Sequence, residues 1–514
     1  MADYVFGANL LEILTTGMYQ YSQIIFREYI QNSCDSIDKA VSLGILKPGE
    51  GKIDIWIDKD KRIISVVDNG TGIFAEEFEL TLQSIAQSSK QLDTEKGFRG
   101  IGRLCGLAYC RKLVFSTTAK GEESISTMRI DSQKLRSRFY GEIKYTAQEV
   151  LDEVITVERR FSEDVRQQHW FKVELIDISS DNRILLNEAS IRDYLSFVAP
   201  VEYRSTFFFS QKIYEHVSNL NLAIDEYRID LNGDQLVKKY KTDFKTSKGL
   251  DEIFDLSFKD FYDDAGKLIA WSWIGLSKFK GVINQKIDTP DYKMRSIRLR
   301  KGNIQIGEAD ALQKLFKEER GIHYFIGEVF AVDKDLIPNS QRDYFIENHA
   351  LRNFETALTN YFLDLRKVYY MASDVNSALR VVEEFNAAEE NFNSQVFVSK
   401  NHRDEAIENL DALRAKAEDS SRKIKSRQHV STISSEDILS RVANRILEKP
   451  DYCAPPVPVS SPSQSVLHNL SKIFPNLKRD ERKLVLKILD VIRENTDAET
   501  FETLQHKIVE VVGR

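Results

Sequence analysis

The chain has 514 residues, length for roughly three or four domains, with 42% hydrophobic residues to build cores and a net charge of only −7. That balance leaves no global basic footprint for nucleic acid, and no apolar run reaches the ~20 residues needed to cross a bilayer. The four cysteines, Cys34, Cys105, Cys110 and Cys453, lack zinc spacing, the eight histidines are scattered singly, and nothing resembles a cleavable leader, so a reducing, cytoplasmic location is expected.

Residues 8–43 read as helical. Within the run Phe26-Arg27-Glu28-Tyr29-Ile30-Gln31-Asn32-Ser33-Cys34-Asp35, the residues Glu28, Asn32 and Asp35 share one face, because i, i+4 and i+7 return to the same side. Lys52-Ile53-Asp54-Ile55-Trp56-Ile57 then alternates as a strand and Asp58-Lys59-Asp60-Lys61 turns into the next. That next strand, with Ile63, Ile64, Val66 and Val67, ends in Asp68 and so delivers a carboxylate to whatever lies at its end. Asp68-Asn69-Gly70-Thr71-Gly72 follows; Asp-Asn-Gly is by itself a strong turn signal, and glycine also lets a backbone approach a ligand closely. A polar stretch at 83–96 leads to Gly97-Phe98-Arg99-Gly100-Ile101-Gly102, whose glycines can present N–H groups to phosphates, and Leu104-Cys105-Gly106-Leu107-Ala108 reads as a helix after it.

The three pieces in order, E-x-x-x-N, D-x-G-x-G and G-x-x-G-x-G, resemble the Bergerat nucleotide fold of the GHKL superfamily, shared by gyrase B, the ninety-kilodalton heat-shock chaperones, histidine kinases and MutL. The helix looks most like that of the heat-shock chaperones, and Ile85-Ala86-Gln87-Ser88-Ser89 resembles the serine-bearing segment before their lid. The resemblance is specific up to about Gly106 and implies ATP and magnesium. Positioning and electrostatics do most of phosphoryl-transfer catalysis, and magnesium prefers oxygen ligands while keeping several waters. Asn32 therefore fits the metal through one amide oxygen, and Glu28, one turn earlier, fits the general base, a contribution of roughly 10²–10⁴-fold. A lone glutamate would more simply be a solvated helix charge. Asp68 is implied as the adenine reader, since an ionised carboxylate only accepts hydrogen bonds. Asp35, Gly70, Gly72, Ser88, Ser89, Gly97, Arg99, Gly100, Ile101 and Gly102 complete the implied nucleotide contacts, and 83–96 the lid. Arg99 and Arg103 depart from the hydrophobic residues common around this loop; phosphate contact and surface solubility both suit them.

Further strands are expected at 112–117, 124–130, 154–159 and 169–175, making an α/β sandwich over 1–185. The last strand, Trp170-Phe171-Lys172-Val173-Glu174-Leu175, lacks the Gly-Thr pair many family members carry at its start, which leaves the final adenine-pocket contact unassigned. Residues 186–370 read as a second α/β unit, with strands at 203–209, 268–276, 296–306 and 323–332 and a hairpin at Asn232-Gly233-Asp234; the resemblance implies the transducer or middle domain. There Leu336-Ile337-Pro338-Asn339-Ser340-Gln341-Arg342-Asp343 looks like the chaperone loop whose arginine reaches the terminal phosphate, making Arg342 a second catalytic residue; the alternative is a surface arginine paired with Asp343. Arg298 and Arg300 share a strand face, expected to be solvated rather than a phosphate or nucleic-acid contact.

Residues 371–448 read as a helical hairpin or coiled coil, with Leu379, Val382, Phe385 and Phe392 and then Ile407, Leu410 and Leu413 mostly three or four apart. A Pro/Ser linker occupies 449–465 and a small helical tail domain 466–514. The expected protein is an α/β, magnesium-dependent ATPase that works as a conformational clamp, a homodimer through C-terminal helices with ATP-dependent head contact. It would act on a protein client or effector partner, with no membrane. The resemblance also implies alternatives: a MORC-like nucleic-acid clamp, or a non-enzymatic nucleotide-sensing scaffold. Bacterial relatives of this layout suggest phage defence as a setting.

Overall fold

Helix α1 (Ile24–Ser42) forms because Ile25, Phe26, Tyr29, Ile30, Cys34 and Ile37 recur at helical spacing, and all six are buried in one core with the strands beneath. The computed structural model describes residues 12, 21–84, 102–139, 145–283, 290–318, 320–397, 399–429, 436–447, 474, 477–494, 496 and 498–512. The chain divides into two compact units, one running to Ser277 and including Gly281–Leu363, the other holding Lys278–Lys280 and the residues from Asp364 onward.

In the first unit, strands β1 (Lys52–Asp58), β2 (Ile63–Asp68), β3 (Cys110–Thr118), β4 (Ser124–Asp131), β5 (Ile155–Phe161), β6 (Trp170–Ile178), β7 (Arg228–Leu231) and β8 (Asp234–Gln235) make one sheet in the order β5-β4-β3-β6-β2-β1-β7-β8. Every pairing is antiparallel except β1 with β7. Alternation buries Ile53, Ile55 and Ile57 of β1 while Trp56 stays half-exposed, which fixes the face turned toward α1. Helix α2 (Ala75–Gln83) follows β2, α3 (Ser132–Phe139) follows β4, and α4 (Ala147–Val154) enters β5 through a capping box of Thr146 and Glu149.

The hairpin at Asn232 lies beyond the stretch expected to close this sheet near 185, yet its strands extend it. Asn232 plugs the end of β1, accepting from the Ile57 N–H at 2.8 Å and donating to Glu188 at 2.8 Å. Between these elements run α5 (Glu188–Val198) and α6 (Ser210–Asn219). The expected strand at 203–209 is instead a turn: Tyr203 makes one bridge to Lys238, and Tyr203 and Phe207 spend their side chains in an aromatic cluster with Tyr240 and Trp273.

After the short hairpin β9 (Asp243–Thr246) and β10 (Gly249–Glu252), a second sheet is built from β11 (Asp255–Tyr262), β12 (Leu268–Leu276), β13 (Ser296–Lys301), β14 (Ile304–Ile306) and β15 (Ile326–Ala331), in the order β11-β12-β15-β13-β14. The expected solvated arginine face is overturned here, because β13 is covered on that side. Arg300 is fully buried, with Nη2 on the Phe197 carbonyl at 2.7 Å and Nη1 on the Asn303 carbonyl at 2.8 Å. Arg298 lies over the Phe197 ring and donates to Gln305 at 2.6 Å. The counter-charge is Glu328 on β15, also fully buried. It takes Arg300 at 2.5 Å and Lys238 at 3.2 Å, and accepts from Tyr203, Tyr240 and Trp273. Saturating both oxygens in this way is what makes a buried carboxylate tolerable.

The second unit is helical: α7 (His349–Ser394) runs into it and is followed by α8 (Lys400–His429), α9 (Glu436–Leu447), α10 (Arg479–Glu494) and α11 (Ala498–Val512). Val382 and Phe385 of α7 pack on Leu410 and Ala417 of α8, with Phe392 and Leu413 beside them, so the apolar seam after Leu379 is filled within the chain. Of the two forms expected for 371–448, the structure has the hairpin. Leu489 of α10 packs on Phe501 of α11 as a second small core. The Pro/Ser linker lies outside the described residues.

Glu328→Gln should cost ~3–5 kcal/mol in urea unfolding at neutral pH, since an amide leaves two buried cations uncompensated. Burial by itself raises the Glu328 carboxyl, but Arg300 and then Lys238 outweigh it and hold it at about 2, below the ordinary 4.5. A depressed folded value gives stability that is present above about pH 4.5 and lost as pH falls through about 2. The gap between parent and variant should therefore shrink as pH falls below about 4.5; an unchanged gap at pH 3 would contradict this charge assignment.

Candidate active site

The polar face of α1 is almost as buried as its apolar one. Glu28 and Asp35 are buried and Asn32, between them, is half-buried. All three lie within one continuous helix at i, i+4 and i+7, so the residues expected to share a face do so.

Asp68, the last residue of β2, is buried and accepts the Gly70 N–H at 2.9 Å, which bends the chain back beneath α1. Ser36 then accepts the Thr71 N–H at 3.1 Å and pins the turn to the helix. Gly72 has φ 65°, and a Cβ there would run into the Thr118 carbonyl, so the second glycine of D-x-G-x-G is required by both conformation and space. His169 donates from Nδ1 to the Gly70 carbonyl at 2.7 Å. Asn69 works outside the site, accepting the Lys52 N–H at 2.7 Å and holding the start of β1.

The register places Asp68 and Thr117 on either side of Phe171, and Thr118 opposite Trp170. The threonines that close this end of the sheet thus come from β3, not from the start of β6. Thr117 accepts the Ile73 N–H at 3.0 Å and donates to the Trp170 carbonyl at 2.7 Å. The Thr118 hydroxyl is buried without a hydrogen-bond partner among the described residues. Ser36, Thr117, Thr118 and His169 escape a sequence reading; Ser116-Thr117-Thr118 at the end of an apolar strand was the available signal.

Ser88, Ser89, Gly97, Arg99, Gly100 and Ile101 lie outside the described residues, as does all of the expected lid beyond Ser84. Gly102 is placed, and a Cβ on it would fall against the Glu28 carboxylate, so the last glycine of the glycine-rich segment meets the helix at Glu28. The expected helix is a seven-residue 3-10 helix, Gly102–Ala108, held by the Gly106 N–H on the Tyr29 hydroxyl at 3.1 Å. Cys105 is buried here; burial first, and then the charge of Glu28, push its thiol well up, so it stays protonated. The Arg103 guanidinium donates to the Ser84 carbonyl and is partly buried, which lowers it to about 10.

Residues 336–346 form a tight loop closed by the Pro338–Phe345 bridge and the Ile346 N–H on the Ile337 carbonyl at 2.9 Å. Its tip reaches α1 at two points. Arg27 donates from Nη2 to the Gln341 carbonyl at 3.0 Å, and Arg342 Nε lies 3.7 Å from Glu28 Oε1. Arg27 Nη2 is also 3.6 Å from the same oxygen. Arg342 is buried, with φ 54°, rather than on the surface, and Asp343 accepts from Asn339. A left-handed arginine is destabilising by roughly 1–3 kcal/mol. The Gly307 N–H on the Arg342 carbonyl at 2.8 Å secures it.

A helix carrying Glu28, Asn32 and Asp35 across a sheet whose terminal turn supplies Asp68 is the nucleotide-binding α/β sandwich of the GHKL class. Residues 19–159 match the family model described as histidine kinase-, DNA gyrase B-, and HSP90-like ATPase, so this part of the chain is an ATP-binding domain of that class. The chain is 30% identical over 134 residues to chaperone protein HtpG of Fusobacterium nucleatum, covering 23% of this chain and 22% of that protein. With chaperone protein HtpG of Escherichia coli strain K12 it is 28% identical over 207 residues, covering 36% of this chain and 32% of that protein. The matches thus span a third or less of these relatives. No described helix is long and apolar enough to cross a membrane, and no described group of three or more His, Cys, Asp or Glu is placed to hold a metal.

Asp68→Asn should weaken ATP and ADP equally, roughly 10–100-fold by calorimetry, the value of a hydrogen bond to a charged group. Asparagine keeps one oxygen for the Gly70 N–H but turns the other acceptor into a donor, facing the amino group of adenine. Unchanged affinity would remove Asp68 from the base pocket.

Proposed function

We propose that the chain is a magnesium-dependent ATP hydrolase that converts nucleotide turnover into a change of shape acting on a protein client or effector. The observation that carries this reading is the meeting of α1 and the loop 336–346 at a single carboxylate oxygen, with Arg342 Nε 3.7 Å from Glu28 Oε1. A base and a forked cation from distant parts of the chain then border one space, as in-line attack on a terminal phosphate requires.

Asn32 suits magnesium chemically: its half-buried amide offers one neutral oxygen one turn from Glu28, and the phosphates supply further oxygens. The metal, when bound, would neutralise phosphate charge. Glu28 accepts the proton of the attacking water, Asp68 fixes the base, and Arg342 faces the phosphate that ADP lacks. A protein partner is favoured over nucleic acid because Arg298 and Arg300, the paired strand arginines, are consumed inside the second sheet. Contact between two chains must use a surface other than the α7–α8 seam, whose apolar residues are already covered.

Glu28→Ala should bind ATP and ADP as the parent does and lose roughly 10²–10⁴-fold in single-turnover hydrolysis, because only the base is removed. Phosphate release at the parent rate would end the assignment.

Arg342→Ala should slow turnover on the order of 10³-fold with ADP affinity unchanged. Equal weakening of ADP and ATP, together with a lower melting temperature, would show instead that the residue only holds the fold.

A further inference from the structure

Gln31 is 1% exposed, and neither its Nε2 nor its Oε1 has a hydrogen-bond partner among the described residues. Arg27 Nε and Glu28 Oε1 are likewise buried and without a hydrogen bond, so four such atoms fall within five consecutive residues of α1. A buried primary amide bonded at neither end is destabilising, and an apolar side chain of similar size would serve packing better. Its place in the helix is specific. At 100° per residue Gln31 lies about 60° round from Glu28 and about 40° from Asp35, on the side of Arg27. It therefore borders the region where Arg27 holds the Gln341 carbonyl and Arg342 faces Glu28.

We propose that Gln31 positions the attacking water in ATP hydrolysis, an inference that rests on the reading of Glu28 as the base. The water donates one O–H to the Glu28 carboxylate and the other to Gln31 Oε1, which leaves a lone pair directed at the terminal phosphorus. As the new P–O bond forms, the bond from that phosphorus to the bridging oxygen breaks and its electron pair leaves on ADP, while the first proton passes to Glu28. Gln31 Nε2 donates to an oxygen of the transferred phosphate. An amide suits this position because it accepts a hydrogen bond without taking the proton, so it does not compete with the base.

The test uses the full chain with magnesium ATP and with ADP, comparing Gln31→Leu, Gln31→Ala and Gln31→Glu with Glu28→Ala. Gln31→Leu should melt higher than the parent, bind ADP within twofold, and hydrolyse on the order of 10²-fold more slowly in a single turnover. Gln31→Glu, which restores an acceptor oxygen, should recover part of the rate and add an inflection to its pH profile. Hydrolysis by Gln31→Leu within twofold of the parent, with Glu28→Ala inactive, overturns the role of Gln31 alone. A parent rate in Glu28→Ala overturns the reading of the site itself. Melting below the parent in both Gln31→Leu and Gln31→Ala, with ADP affinity lost alongside the rate, makes the side chain structural and also overturns the proposal.

Discussion

Helix α1 is buried on two sides, and the arrangement around it follows from that constraint. Twelve of its nineteen residues are buried, among them Arg27, Glu28, Gln31 and Asp35. Its apolar face is satisfied by the sheet through Phe26, Tyr29, Ile30 and Ile37. The polar face has no such partner and must be met by charges, turns and ligand. Asp68 and its glycine turn come up from below, the glycine-rich segment closes at its last glycine, Gly102, and the loop 336–346 comes in at Arg27 and Glu28. Burying charge without partners is expensive, so each approach is fixed by the polar group it meets.

The second sheet gives that loop a rigid base. Glu328, Arg300 and Lys238 form a buried cluster with little freedom to rearrange without exposing a charge. Arg300 also bonds the Phe197 carbonyl at the end of α5, and Ser190 of α5 accepts from Gln23, just before α1, at 3.3 Å. The first sheet itself takes β7 and β8 from the later stretch of chain. The first unit is therefore continuous from the nucleotide helix to the arginine loop. Physical contact of this kind permits coupling between nucleotide and the later domain, although contact alone does not measure it.

What could be read from the sequence was local in origin. Glu28, Asn32 and Asp35 follow from helical periodicity, and Asp68 with Gly72 from a strand that ends in a turn. What escaped depends on pairing between distant segments. Thr117 and Thr118 stand opposite Phe171 and Trp170, at the start of β6, only because β3 lies beside β6 in a particular register. Arg298 and Arg300 alternate like solvated strand residues, and only the arrival of Glu328 and Phe197 shows that they are interior. The segment 203–209 has strand composition, but Tyr203 and Phe207 are taken into an aromatic core. The seam after Leu379 carries no mark telling an intramolecular partner helix from an intermolecular one; α8 decides it.

On the proposed reading, the same oxygen explains why the terminal phosphate matters more than the rest of the nucleotide. Glu28 Oε1 has Arg27 at 3.6 Å and Arg342 at 3.7 Å, so both cations face the oxygen assigned to the attacking water. A terminal phosphate carries more charge and more acceptor oxygens than one carboxylate, so it competes successfully for the guanidinium of Arg342. Moving Arg342 from Glu28 to phosphate frees Glu28 Oε1 to meet the attacking water at the moment the substrate is in place. ADP has no group at that position and leaves the Arg342–Glu28 contact as it is. The loop 336–346 carries Arg342 at a left-handed φ and is tied to α1 through Gln341, so that exchange is felt in the backbone of the second sheet's neighbour rather than in a free side chain.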